Sequence, residues 1–241
     1  QPLAERMRPV SLDEFVGQEH LLGPGKLLSG MLSTGKLRSL IFWGPPGSGK
    51  TTLARLIAKS ANAVSVNFSA VTSGVKDLKK VVQEAEQLQR AGQPTVLFVD
   101  EIHHFNKAQQ DNFLPHVERG TLVLIGATTE NPSFEVISPL LSRCQVLVLK
   151  TLSPKDVEKI IDRALRDDKR GLGKLRLELS AEARNFLVHQ SQGDCRIALN
   201  ALENAASLAE SEAKGEISLA EIQEALQSPA LRYDKAGEEQ Y

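Results

Sequence analysis

Gly44 to Thr51 reads GPPGSGKT, and no other stretch of the chain narrows its possible folds as far. It fills every fixed position of the pattern G-x-x-x-x-G-K-[ST], and its flanks fit as well. Leu40-Ile41-Phe42-Trp43 is a short apolar run of the kind that forms a buried strand, stopped by Gly44-Pro45-Pro46-Gly47. Beyond the loop, Leu53, Ala54, Ile57, Ala58 and Ala61 recur at spacings of three and four, which predicts a helix over Thr51 to Ala63 with one apolar face. A strand that passes through a glycine-rich loop into a helix is a place for phosphate. Glycines at 44, 47 and 49 let backbone N–H groups curl around the oxygens, where a β-carbon would clash. The start of the helix adds the positive end of its dipole. Lys50 is placed to reach the β- and γ-phosphates of a nucleotide, and the Thr51 hydroxyl to bind Mg²⁺. Pro45, Pro46, Ser48 and Thr52 complete the candidate nucleotide contacts, so ATP and Mg²⁺ are the expected cofactors.

Residues 40 to 150 alternate short apolar runs with longer amphipathic ones, the pattern of a parallel sheet covered by helices. Val64 to Phe68, Thr95 to Val99, Thr121 to Ala127 and Gln145 to Leu149 join Leu40 to Trp43 as five strand candidates. Strands apolar throughout fit a sheet covered on both faces. Val75 to Ala91 keeps helical period, and Gly92 supplies a stop. After Thr151-Leu152-Ser153-Pro154 strand-like runs nearly vanish, and three or four helices are expected near 154–168, 180–190, 194–213 and 218–227. Ser153 before Pro154, with Asp156 in the first turn, marks a helix start, as does Ser180 with Glu182. The expected division is an α/β core over 1–150, a small helical lid domain over 151–230, and the start of a linker over 231–241.

The third strand delivers Asp100 and Glu101 to the carboxyl end of the sheet, where open α/β folds bind ligands. There Asp100 would hold Mg²⁺ through water and Glu101 would orient an attacking water. An Asp-Glu pair favours hydrolysis over simple holding of a nucleotide. His103 and His104 follow, but adjacent side chains diverge and no HExxH or CxxC spacing accompanies them, which argues against a structural zinc site. They are read instead as a loop that touches a neighbouring subunit or DNA, or as a solvated loop.

Charge sets limits on partners. The chain carries 29 basic and 30 acidic side chains, a net charge of −1, which excludes nucleic-acid binding by bulk charge and leaves room only for a local patch. The 8 Phe, 2 Tyr and 1 Trp form no stacking cluster, so DNA contact would run through the backbone and be salt-sensitive. Cys144 and Cys195 are expected to be reduced thiols. No apolar run approaches the ~20 residues that span a bilayer, and Gln1 to Arg6 lacks the order of a signal peptide. The missing initiator Met suggests an excerpt of a longer chain, and a soluble intracellular protein is expected.

Taken in order, these residues resemble the AAA+ ATPases over essentially the whole chain. Arg8-Pro9, with Phe15-Val16-Gly17-Gln18-Glu19-His20, looks like the N-terminal segment that closes over adenine in clamp loaders and their relatives. Thr128-Thr129 in GATTEN ends the fourth strand where the family places sensor 1, and Thr129 takes that role by resemblance. Leu141-Ser142-Arg143-Cys144 is similar to the clamp-loader S-R-C motif, whose arginine (here Arg143) reaches into the neighbouring subunit's ATP. Gly193-Asp194-Cys195-Arg196 opens a helix where the family carries sensor 2, which implies Arg196. The implied fold is an α/β AAA+ P-loop NTPase core with a five-stranded parallel sheet plus a small C-terminal α-helical lid. Nucleotide would lie between the two domains and be hydrolysed at a subunit interface of a homo-oligomer.

Longer stretches, LAERMRP, FVGQEHLLGPGK, AVTSGVKD, HHFNKAQQDNFLPHVE and GATTENPSF, look like the replication-associated recombination protein A group, also called the MgsA or Werner-helicase-interacting-protein type. The resemblance implies a DNA-stimulated ATPase of replication-fork maintenance, recombination and repair. Its implied partners are single strands, ends, gaps or forks of DNA and single-stranded-DNA-binding protein, with no membrane and a cytoplasmic, nucleoid-associated location. Relatives continue after a segment like Arg232 to Tyr241 into an oligomerisation region. The chain departs from the group at His104, where arginine is expected, and at Cys195, where alanine is usual. Relatives also use a polar side chain on the second strand to restrain the catalytic glutamate; Asn67 and Ser69 are both candidates. A clamp-loader subunit and a Holliday-junction branch-migration motor are rivals with the same site. A nucleotide-gated module that hydrolyses nothing is a rival of another class, and the presence of both Glu101 and Arg143 speaks against it.

Overall fold

Strands that are apolar at every position are stable only with a layer on each side. A computed structural model of the chain, describing residues 1–70 and 72–227, shows that arrangement; the linker expected from residue 231 lies outside the described residues. Five strands, β1 (Leu40–Trp43), β2 (Val64–Phe68), β3 (Thr95–Val99), β4 (Val123–Thr128) and β5 (Gln145–Val148), form one sheet in the order β2-β3-β4-β1-β5. All neighbours are parallel, with Leu40 opposite Ile125 and Gln145, and Val99 opposite Gly126. β3 is buried along its whole length. The edge strand β5 leaves Val146 and Val148 exposed on one face.

The helices Lys50–Ser60 and Val75–Arg90 present apolar faces, burying Leu53, Leu56 and Ile57 in the first and Leu78, Val82 and Ala85 in the second. Each such aliphatic side chain contributes about 1.5–3 kcal/mol by leaving water. Between β2 and the segment after β3, Phe68, Phe105 and Phe113 form a ring cluster with centroids 5.4 to 5.9 Å apart.

The chain divides into two compact units. Among the described residues, Val10–Glu14 and Gln18–Lys150 make the α/β unit; Gln1–Pro9, Phe15–Gly17 and 151–227 make the helical unit. Helices Pro154–Arg166, Ala181–Ser191, Cys195–Ser211 and Leu219–Leu226 dominate the latter, with a small parallel pair, β6 (Glu178–Leu179) and β7 (Glu216–Ile217). Ser153 and Asp156 form a capping box with Pro154 in the first turn, and Ser180 accepts the Ala183 N–H. Leu3 and Met7 join its core beside Ile161, Leu187, Leu202 and Ile222. Glu203 anchors that N-terminal segment: its carboxylate accepts from the Leu3 N–H at 2.8 Å and from Arg6 Nη1 at 2.9 Å. Among the described residues no helix is long and apolar enough to cross a membrane.

Candidate functional site: a phosphate loop and an acidic pair at the carboxyl edge of one sheet

The loop from Gly44 to Gly49 leaves β1 at the carboxyl edge of the sheet. Gly47 and Gly49 have φ of +69° and +103°, a region that side chains make costly. Gly44 is required for a different reason: a β-carbon there would lie 2.7 Å from the Leu149 carbonyl oxygen. Its N–H donates to the Thr128 carbonyl at 3.2 Å, which ties the loop entrance to the end of β4. Ser48 Oγ donates to the Pro45 carbonyl at 2.8 Å, while Pro46 is exposed at the tip. Lys50 opens the helix, and its ammonium donates to the Gly44 and Pro45 carbonyls, each at 2.7 Å. The buried cation is thus satisfied and held over the loop. Thr51 is half-buried in the first turn, and Thr52 is buried behind it.

Gln18, which carried no assigned role in the sequence, braces this loop. Its amide donates to the Ser48 carbonyl at 3.1 Å and the Lys150 carbonyl at 2.7 Å, and its oxygen accepts the Lys150 N–H at 2.9 Å. Only the partners' distance in sequence, 132 residues to Lys150, concealed it.

β3 ends in Asp100, exposed, and Glu101, whose backbone is left-handed at φ 51° and ψ 52°. The Glu101 N–H donates to Asp100 Oδ1 at 3.1 Å. Glu101 Oε2 stands 3.1 Å from His103 Nε2, and His103 Nδ1 stands 2.8 Å from the Thr128 hydroxyl. Thr128 is fully buried; Thr129, the residue expected as sensor 1, follows it exposed to solvent. Asn67 lies on β2 opposite Phe98, and the Ser69 N–H takes Ser73 Oγ. Glu101, His103 and His104 carry potential ligand atoms within 4.8 Å of one another, yet both His103 nitrogens are engaged. The hydroxyl and carboxylate oxygens of Thr51 and Asp100 are donors of the hard type that suits Mg²⁺.

Arg143 belongs to the other edge. It lies two residues before β5, whose first residue pairs with Leu40, so the length of a strand, about 10 Å, separates it from the loop after Trp43. Its guanidinium donates to the Pro139 carbonyl at 2.7 Å and to Ser142 Oγ at 3.1 Å, and pairs with Glu118 at 2.5 Å. Buried Gln110 steadies the preceding segment. It donates to the Phe105 carbonyl at 2.9 Å and the Glu135 carbonyl at 2.8 Å, and accepts the Ile137 N–H at 2.9 Å.

The helical unit holds the remaining candidates. Arg8 pairs with Glu5, Pro9 and Val16 are half-buried, and Gly17 (φ +85°) packs where a β-carbon would come within 2.7 Å of Leu152 Cδ2. Arg196 is exposed in the first turn of its helix, which Asp194 caps by accepting the Arg196 N–H at 2.8 Å. Burial, aided by the Asp194 charge, pushes the Cys195 thiol up to about 11, while Arg196 and Arg8 pull it down, so both arginines bear on the same helix start. Both cysteines are free, and burial pushes Cys144 up to about 12.

Residues 40–152 match the ATPase family associated with various cellular activities (AAA), and residues 173–241 match the AAA C-terminal domain. The chain is 48% identical to replication-associated recombination protein A of Haemophilus influenzae and 52% identical to that of Coxiella burnetii, covering 100% of this chain and 54% of each relative. This chain belongs to the AAA+ family, in the replication-associated recombination protein A group. It spans about half the length of the curated relatives it matches. Among solved structures it is similar to the Thermotoga maritima RuvB Holliday junction branch migration motor, with a TM-score of 0.75, 29% identity, and 92% of this chain and 72% of that one covered.

Proposed function

We propose that this chain is the ATPase core of a DNA-dependent AAA+ enzyme of replication-fork maintenance, recombination and repair, which hydrolyses ATP at a subunit interface. The observation that carries the reading is the pairing of a complete phosphate loop on β1 with Asp100 and Glu101 on β3, both at the carboxyl edge of one sheet. Lys50 neutralises phosphate charge as it exchanges its carbonyl partners. Thr51, and Asp100 through water, would hold Mg²⁺, which would supply charge neutralisation on the terminal phosphates. Glu101 accepts a proton from water, Thr129 senses the terminal phosphate, and Arg143 of one subunit stabilises the transition state in the next. Arg8, Pro9, Val16 and Gly17 close over the adenine, and Arg196 reaches the phosphates from the lid domain. The division expected from sequence, a core over 1–150 and a lid over 151–230, is modified at the start of the chain, where Gln1–Pro9 and Phe15–Gly17 group with the helical unit. The names of the bacterial relatives support the replication and recombination setting, which brings with it a homo-oligomer, DNA ends, gaps or forks, and single-stranded-DNA-binding protein as partners in the cytoplasm, on the nucleoid.

The test is Mg²⁺-dependent ATP turnover without DNA and with single strands, duplex ends, forks and four-way junctions. Turnover raised by single strands, ends or forks is expected; turnover indifferent to all DNA removes the DNA dependence. A branch-migration motor is the second reading, favoured by the likeness to the Thermotoga protein, and it requires stimulation by the four-way junction above all other arms.

A further inference from the structure

We infer that His103 is a positioning residue that couples the phosphate loop to the water-orienting carboxylate. The role rests on the ATPase reading above and assigns a function to a histidine which that reading leaves idle. The imidazole lies largely covered, with 14% of its side chain exposed, between two polar partners. Glu101 Oε2 is 3.1 Å from Nε2, and Thr128 Oγ1 is 2.8 Å from Nδ1. The direction of these bonds follows from what Thr128 already does. Its oxygen accepts the Glu130 N–H at 3.0 Å, and the other acceptor within reach of its proton, the Glu130 carbonyl, is 3.4 Å away. A hydroxyl that donates along the shorter of these two contacts gives its proton to His103 Nδ1. That leaves the ring proton on Nε2, where it is donated to the carboxylate. An imidazole so held grips one Glu101 oxygen and leaves Oε1 to accept from water.

Thr128 is also the far end of the connection. Its carbonyl accepts the N–H of Gly44 at the loop entrance, 3.2 Å away. One residue at the end of β4 thus touches the phosphate loop through its backbone and Glu101 through a histidine. β4 lies between β1 and β3, so the chain of contacts crosses the sheet by the shortest route. Positioning matters at this scale because a displacement of about 1 Å of a reacting group can cost 10²-fold in rate.

The experiment compares steady-state ATP turnover of the full chain with His103→Ala, His103→Gln, Thr128→Val and the double variant His103→Ala/Thr128→Val. With the concentration of folded sites fixed by nucleotide titration, His103→Ala should lower kcat by about 10- to 100-fold and leave KM for ATP within about threefold. His103→Gln, whose amide can donate where Nε2 does, should recover most of the loss. Thr128→Val alone should lower kcat, and the double variant should fall no further than His103→Ala, because both act through one chain of bonds. Wild-type turnover together with a His103→Ala kcat within threefold of it, or additive losses in the double variant, would overturn this role and leave the ATPase reading standing. A wild type without Mg²⁺-dependent turnover would overturn the ATPase reading itself, and His103's role with it.

Discussion

The two edges of the central sheet treat charge in opposite ways. At the carboxyl edge Lys50 is buried and held by two carbonyls at 2.7 Å, and Glu101, itself 41% exposed, is bonded to a largely covered histidine that is bonded in turn to a buried threonine. At the amino edge Arg143 stands on the surface, 39% exposed, and is steadied by Glu118, 41% exposed. Interior carbonyls and buried hydroxyls fix a group for a ligand of the same chain. On the proposed function, the half-exposed arginine on the far edge serves the site of a neighbouring subunit. The comparison separates two parts of the proposed site, one gathered within the chain and the other, on that proposal, presented to a neighbour.

The largest effect should come from that presented part. Arg143→Ala should lower turnover by roughly 10³-fold or more, the scale of a trans arginine in phosphoryl transfer, with ATP binding unchanged in a nucleotide-binding titration. Glu101→Gln should come next, losing at least ~100-fold in turnover while binding ATP as well as the wild type or tighter, since it acts on water. Mixing separates the edges. Arg143→Ala with Glu101→Gln should recover part of the activity, because some interfaces then join an intact arginine to an intact glutamate. Lys50→Ala with Glu101→Gln should recover none, since both belong to one subunit's site. Recovery in the second mixture, or its lack in the first despite co-assembly, would break the comparison.

Lys50→Ala should cost about 2–3 kcal/mol of binding, or roughly 30- to 150-fold in ATP affinity, read by the same titration. An affinity within threefold of wild type would mean that the carbonyl-held ammonium never reaches the phosphates.

How much of this was legible in sequence depended on how local its cause was. The phosphate loop could be read because its glycines answer to backbone φ and to close approach within one short segment. The five strands could be read because apolar runs between turn residues are themselves the signal of a covered sheet. The Thr128–His103–Glu101 chain could not, because it depends on which of two adjacent threonines turns inward, and neighbours on a strand face opposite ways. Gln18 and Gln110 are polar residues whose value lies in partners on distant segments. The grouping of Gln1–Pro9 with the helical unit rests on Glu203, 200 residues from Leu3.

The smallest effect tests whether Glu118 belongs to the site or only to the surface. Its pair with Arg143 is short, but both partners are more than a third exposed. Such pairs contribute about 0–1 kcal/mol because water screens them and two long side chains must be held in one geometry. Arg143 keeps two further contacts, to the Pro139 carbonyl and Ser142 Oγ, that do not involve Glu118. Glu118→Ala should therefore lower kcat by no more than about fivefold, against the thousandfold loss in Arg143→Ala. The difference from wild type should shrink further at 0.5 M added salt, where the screening length falls to about 4 Å. A loss of a hundredfold, persisting in salt, would mean that Glu118 fixes Arg143 as firmly as the carbonyls fix Lys50, and the contrast between the two edges would be gone.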